Sequence, residues 1–171
     1  MSNLNYQQIA VFERVSNNNE TVKDHNAGMR GRASLVATAS AAVVGLVTAA
    51  EFLPGSSENN GIGLAILSLT YLCTVAIYFF TAQVWKTGIT SLPGGFDLDH
   101  LYDAYISQDE DQAYANLLKD ECEAFRINTQ ENDRKGSALN RAVNVFILQL
   151  LILALSIGVS AIGNASCPLG A

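Results

Sequence analysis

Apolar positions in this chain are collected into three long stretches. Residues 33–53 hold one charge, Glu51, while 61–85 and 142–167 hold none. About 20 apolar residues at about 1.5 Å each suffice to cross a bilayer as a helix. The pattern therefore predicts transmembrane helices over 33–53, 62–85 and 141–163. Pro54-Gly55-Ser56-Ser57-Glu58-Asn59-Asn60 is a turn cluster short enough to make the first two an antiparallel hairpin. From Ser107 to Gly163 no proline intervenes, and an acidic run passes through charged helix formers into the third apolar stretch. One helix over that stretch would be about 85 Å long, so half of it must stand in water. The expected fold class is an all-α integral membrane protein with three transmembrane helices. A cytoplasmic helical extension belongs to it, the third span being continuous with a long cytoplasmic helix.

The polar segments fill in the rest of the layout. Residues 1–32 form an N-terminal helical segment in which Leu4, Ile9, Phe12 and Val15 outline a short amphipathic helix. Asn17-Asn18-Asn19 interrupts it, and a second helix starts at Thr21 and runs into the first span. The apolar face lacks the Lys/Arg richness of a membrane-surface anchor, which favours packing on the protein's own cytoplasmic helix. A transmembrane hairpin occupies 33–86. Residues 87–140 are an acidic helical region containing the Pro93-Gly94-Gly95 turn, a short helix at 100–106, and a capping-box spacing at Ser107-Gln108-Asp109-Glu110. In the helix that follows, Ala113, Leu117, Ala124 and Phe125 form a sparse apolar stripe beside Tyr114 and Leu118, a stripe that requires a packing partner. The third span, 141–163, leads to an outer tail at 164–171.

Charge sets the orientation. All ten Lys and Arg fall on one side of the three-span arrangement: Arg14, Lys23, Arg30, Arg32, Lys86, Lys119, Arg126, Arg134, Lys135 and Arg141. Cytoplasmic flanks collect basic residues, so the N-terminus and 86–141 are assigned to the cytoplasm and the C-terminus to the outside. The net charge of −6 and the dispersion of the basic residues argue against nucleic-acid binding. Between 87 and 140, eleven acidic residues face four basic ones, an excess that would favour cations in a vestibule ringed by such segments.

Candidate chemistry lies mostly within the spans. In the first, Ser34, Thr38, Ala41, Gly45 and Thr48 follow three-four spacing and form a weakly polar stripe, the candidate pore lining. Ala37, Ala41, Gly45 and Ala49 recur every four residues, the arrangement that lets membrane helices approach closely. Ordinary helix packing is the favoured account of both stripes, ahead of a conduction path. Glu51 is a solvated interface carboxylate or, in a ring of subunits, a charge at the outer mouth. In the third span, Gln149 and Asn144 are candidates for interhelical hydrogen bonds.

No catalytic or metal-binding pattern emerges, and neither enzyme activity nor a cofactor is expected. His25 and His100 each follow an aspartate but lack a nucleophile or third ligand, and Gly94-Gly95 lacks the spacing and Lys of a phosphate loop. Cys73 and Cys122 read as small apolar fillers, and Cys167 stands alone near the C-terminus.

Arg30 and Arg32 leading into an alanine-rich span, a tight hairpin, a cytoplasmic helix, and Arg134-Lys135 before a further span together resemble the small bacterial membrane effectors of antiphage signalling systems. These are the SLATT-domain and Pycsar transmembrane effector families. The resemblance implies an oligomeric pore or membrane-disrupting protein of the bacterial inner membrane that acts when a partner signals infection. Two functions are carried forward. One is a homo-oligomeric, cation-preferring channel or pore in contact with membrane lipid. The other is a non-conducting adaptor that holds a cytoplasmic protein partner through its acidic helix.

Overall fold

The computed structural model describes residues 6–51, 60–86, 103 and 109–165. Among them are three α-helices and no strand: α1 (Tyr6–Glu51), α2 (Asn60–Trp85) and α3 (Glu110–Ala165). Each contains a window long and apolar enough to cross a membrane. The chain divides into two compact units, a polar one of Met1–Met29 with Lys86–Gly136 and an apolar one of Arg30–Trp85 with Ser137–Ala171.

α1 does not break at Asn17-Asn18-Asn19, where the sequence predicts an interruption. Three asparagines in a helix interior cost about 2 kcal/mol relative to alanine. Asn19 offsets this by being buried and hydrogen-bonded to α3. The start of α3 also differs from the expected one. Asp109 is its cap, accepting the Gln112 amide at 2.9 Å, so that the first helical residue is Glu110. Ser107 and the short helix expected at 100–106 lie outside the described residues, apart from Asp103.

In the polar unit α1 and α3 run parallel. Asn128 Nδ2 donates to Asn19 Oδ1 at 2.7 Å, Asn132 Nδ2 to the Val22 carbonyl at 3.4 Å, and Lys135 Nζ to Asn26 Oδ1 at 3.3 Å, in ascending order on both helices. Their inward positions alternate three and four residues apart: Phe12, Val15, Asn19, Val22, Asn26 and Met29 on α1, with Tyr114, Leu117, Glu121, Ala124, Asn128 and Lys135 among those on α3. That is heptad spacing with polar side chains in alternate layers. The sparse stripe of α3 is therefore covered by α1, beginning with the rings of Phe12 and Tyr114 at 5.6 Å. Cys122 lies outside this seam and is exposed, contrary to its reading as a filler.

In the apolar unit the same spacing continues, through Ala33, Ser40, Val43 and Val47 on α1 and Ala138, Ala142, Gln149 and Ile152 on α3. α2 adds Thr70, Cys73, Ile77, Thr81 and Val84. It must run antiparallel to α1. Were the two parallel with Thr74 beside Ser40, Asn60 would stand about 37 Å below Glu51, beyond the about 32 Å that the intervening chain can reach. The threonines of α2 close their own bonds, Thr70 to the Ile66 carbonyl and Thr81 to that of Ile77, so they enter an apolar core without orphaned hydroxyls.

Candidate functional site

Among the described residues, the core of the apolar unit holds a polar cluster supplied by one residue from each helix. Gln149 of α3 is completely buried. Its Oε1 accepts the Ser40 hydroxyl of α1 at 2.8 Å, while its Nε2 donates to Thr74 Oγ1 of α2 at 3.0 Å and to the Ser40 carbonyl at 3.4 Å. Thr74 Oγ1 donates in turn to the Thr70 carbonyl at 3.0 Å, and a 3.2 Å contact between the Ser40 and Thr74 hydroxyls closes the triangle. Both amide protons and the amide oxygen of Gln149 are engaged. The cluster is saturated, and it ties the three helices at one level.

No family model, curated protein or solved structure matches this chain. Its function is therefore argued from its own residues.

The stripe proposed to line a path sits on the opposite side of α1 from this cluster. Ser34, Thr38, Ala41 and Gly45 are exposed, as is Ala49, and Ala37 is half-buried. Thr48 is half-buried, and its hydroxyl has no hydrogen-bond partner. A Cβ built on Gly45 would meet nothing within 4 Å, so this face is open within the unit. Leu35 and Leu46 of α1 are exposed beside it, and the other outward faces are richer in such side chains: Leu64, Leu72, Val75 and Phe79 on α2 and Leu148, Leu151, Leu155 and Ile157 on α3 are large, apolar and exposed. Asn144 is exposed and does not join the Gln149 cluster. The side chain of Glu51, the last residue of α1, lies outside the described residues.

The polar unit carries its own buried polar side chains. Asn19 Nδ2 donates to Glu121 Oε2 at 3.2 Å and Asn19 Oδ1 accepts from Asn128, while Lys135, only 3% exposed, donates to Asn26. Tyr114 stands beside Phe12, and its hydroxyl pKa is raised above the ordinary 10.0 by burial first and by the Glu13 carboxylate second. Sequence reading passed over Asn19, Asn26, Ser40, Thr74, Glu121, Asn128 and Lys135. The signal that finds most of them is a heptad count admitting polar residues to the core.

Chemically, these arrangements hold helices together and present faces. Among the described residues no three His, Cys, Asp or Glu side chains gather as metal ligands.

Proposed function

We propose that this chain is an integral membrane protein that assembles from several copies, with the small-residue face of α1 turned toward neighbouring copies around a conducting path. What carries the reading is the composition of the outward faces of the apolar unit. Large apolar side chains suited to lipid dominate those of α2 and α3, whereas α1 exposes only Leu35 and Leu46 of that size between Arg32 and Ala49 and sets Ser34, Thr38, Ala41 and Gly45 beside them. In lipid no hydrophobic drive joins helices, and close approach across small residues supplies the association energy instead. From Arg32 to Glu51 the helix rises about 28 Å without a charge, close to the hydrocarbon thickness of a bilayer. Basic residues on one side put the N-terminus in the cytoplasm, and the acidic excess of 87–140 makes the path cation-preferring. Its place as an antiphage effector of the bacterial inner membrane rests on the resemblance of its layout alone.

Gly45→Leu and Thr38→Leu test this. Nothing within the unit contacts a Cβ at Gly45, so the three helices remain packed while the outward face changes. The expected result is altered cross-linking between copies in vesicles, together with altered cation flux. Flux absent from the unaltered protein at every protein-to-lipid ratio, with a cytoplasmic protein bound to α3, would favour the adaptor.

A further inference from the structure

We propose that the end of the apolar unit carrying Arg30, Arg32 and Arg141 binds the phosphate groups of anionic phospholipids, an inference that rests on the membrane reading above. These three are the only cations of the unit, and its only acidic residues, Glu51 and Glu58, follow Arg32 by 19 or more positions. The register brings the arginines to one level. Arg32 and Arg141 differ by the same 109 positions as Ser40 and Gln149. Arg30 lies ten residues before Ser40. Trp85 lies eleven beyond Thr74 on the antiparallel α2, which places it within about one turn of Arg30.

Among the described residues none of the three arginines forms an ion pair, and Arg32 and Arg141 are exposed. Arg30 supplies the more demanding observation, because its Nε is shielded from solvent and has no acceptor. A buried guanidinium N–H left without an acceptor is costly, and an oxyanion that takes two parallel bonds from the planar guanidinium, as a phosphodiester does, is a group that satisfies it. Trp85 is half-exposed at the same level, where indole rings favour the headgroup region. Cations spread over two helices at one height meet an annulus of headgroups better than they meet a single small anion. Phosphodiester headgroups of the cytoplasmic leaflet have this chemistry and this location.

The test uses the full chain purified in a neutral detergent and titrated separately with phosphatidylglycerol, phosphatidylcholine and inorganic phosphate. Thermal melting of the helical signal and the lipid phosphorus retained after washing are read for each. Insertion is scored independently, by resistance to alkaline extraction from pure phosphatidylcholine vesicles. Phosphatidylglycerol is expected to raise the melting temperature and to be retained, and the other two are not. Arg32→Gln and Arg141→Gln should each weaken the phosphatidylglycerol midpoint about fivefold. Arg30→Lys, which keeps the charge and removes Nε, should weaken it as well. Equal effects of the two lipids, or midpoints unmoved by all three variants, overturn the site while insertion stands. Saturation by inorganic phosphate alone overturns the lipid source. Failure to insert removes both this inference and the membrane reading.

Discussion

Replacing Gln149 with leucine separates a membrane core from a water-soluble one. The side chains are close in volume, so no cavity opens, and the change removes a bond from Ser40 at 2.8 Å, one to Thr74 at 3.0 Å and a weak one to the Ser40 carbonyl at 3.4 Å. The partners are not stranded. Ser40 can turn its proton to Thr74 Oγ1, already 3.2 Å away, and Thr74 keeps its bond to the Thr70 carbonyl. In a soluble protein, exchanging a fully buried amide for a leucine whose neighbours remain satisfied is close to neutral or stabilising. In lipid the leucine gains nothing by burial. The two short interhelical bonds, at about 0.6–1.7 kcal/mol each, are simply lost, so Gln149→Leu should destabilise the three-helix unit by about 1–3 kcal/mol. Reversible unfolding of the full chain in mixed micelles, driven by increasing anionic detergent, measures this. Ser40→Ala and the double variant complete a cycle whose coupling should be about 0.5–1.5 kcal/mol, since the two side chains share their shortest bond. A leucine variant as stable as the parent, with coupling below about 0.3 kcal/mol, would refute the claim that this cluster clasps the helices.

Other expectations concern the polar unit and are read by unfolding of the same full chain. Asn19→Leu removes the acceptor of Asn128 and the donor to Glu121, and should cost about 1–3 kcal/mol, part of which Asn128→Leu returns by restoring a matched layer. Gly136→Ala should stabilise by about 0.5–1 kcal/mol, because a Cβ there meets Met29 Sδ at an ordinary 3.8 Å while the helix gains a better former. Tyr114→Phe should flatten the alkaline limb of stability. With its folded pKa raised above the ordinary 10.0, the hydroxyl leaves stability unchanged below that pH and subtracts from it as pH climbs toward the raised value. The parent should therefore lose more stability than the variant above pH 10, and identical slopes would contradict the assignment.

The three apolar stretches were legible because length and absence of charge do not depend on packing, and α1, α2 and α3 contain them. The continuity of α3 was equally legible from the absence of proline between Ser107 and Gly163. What escaped was the pairing of α1 with α3. A search for apolar periodicity sees Phe12 and Val15, then meets Asn17-Asn18-Asn19 and breaks the helix there, and it gives Asn26 no place in a core. In α3 it meets Glu121, Asn128 and Lys135 and reports a stripe too thin to pack. Each of these residues is buried or half-buried against the other helix, and contacts more than 100 positions away are invisible to local propensity. Gln149 stood out because a lone amide in an apolar run demands a partner, yet nothing local pointed to Ser40 and Thr74.

Those polar layers explain why the helices meet in one register. Asn19 with Asn128, Asn26 with Lys135, and Ser40 with Gln149 are each separated by 109 positions. Apolar heptads alone would tolerate a slide of seven residues, since one small or branched side chain replaces another in each layer. Sliding α3 by one heptad in either direction sets Gln149 opposite Ala33 or Val47, where it loses the Ser40 hydroxyl. The same two slides set Lys135 opposite Asn19 or Ala33 respectively, and the second strands a cation in an apolar layer. Each unsatisfied buried group costs about 1–3 kcal/mol, and a charged one more, so a slipped register forfeits several kcal/mol while gaining no apolar burial. Alternation of polar and apolar layers thus weakens the seam's hydrophobic content and in exchange makes the pairing unique. For a chain whose two long helices run parallel, that uniqueness fixes the height at which each residue of α1 stands beside α3, Ser40 beside Gln149 among them.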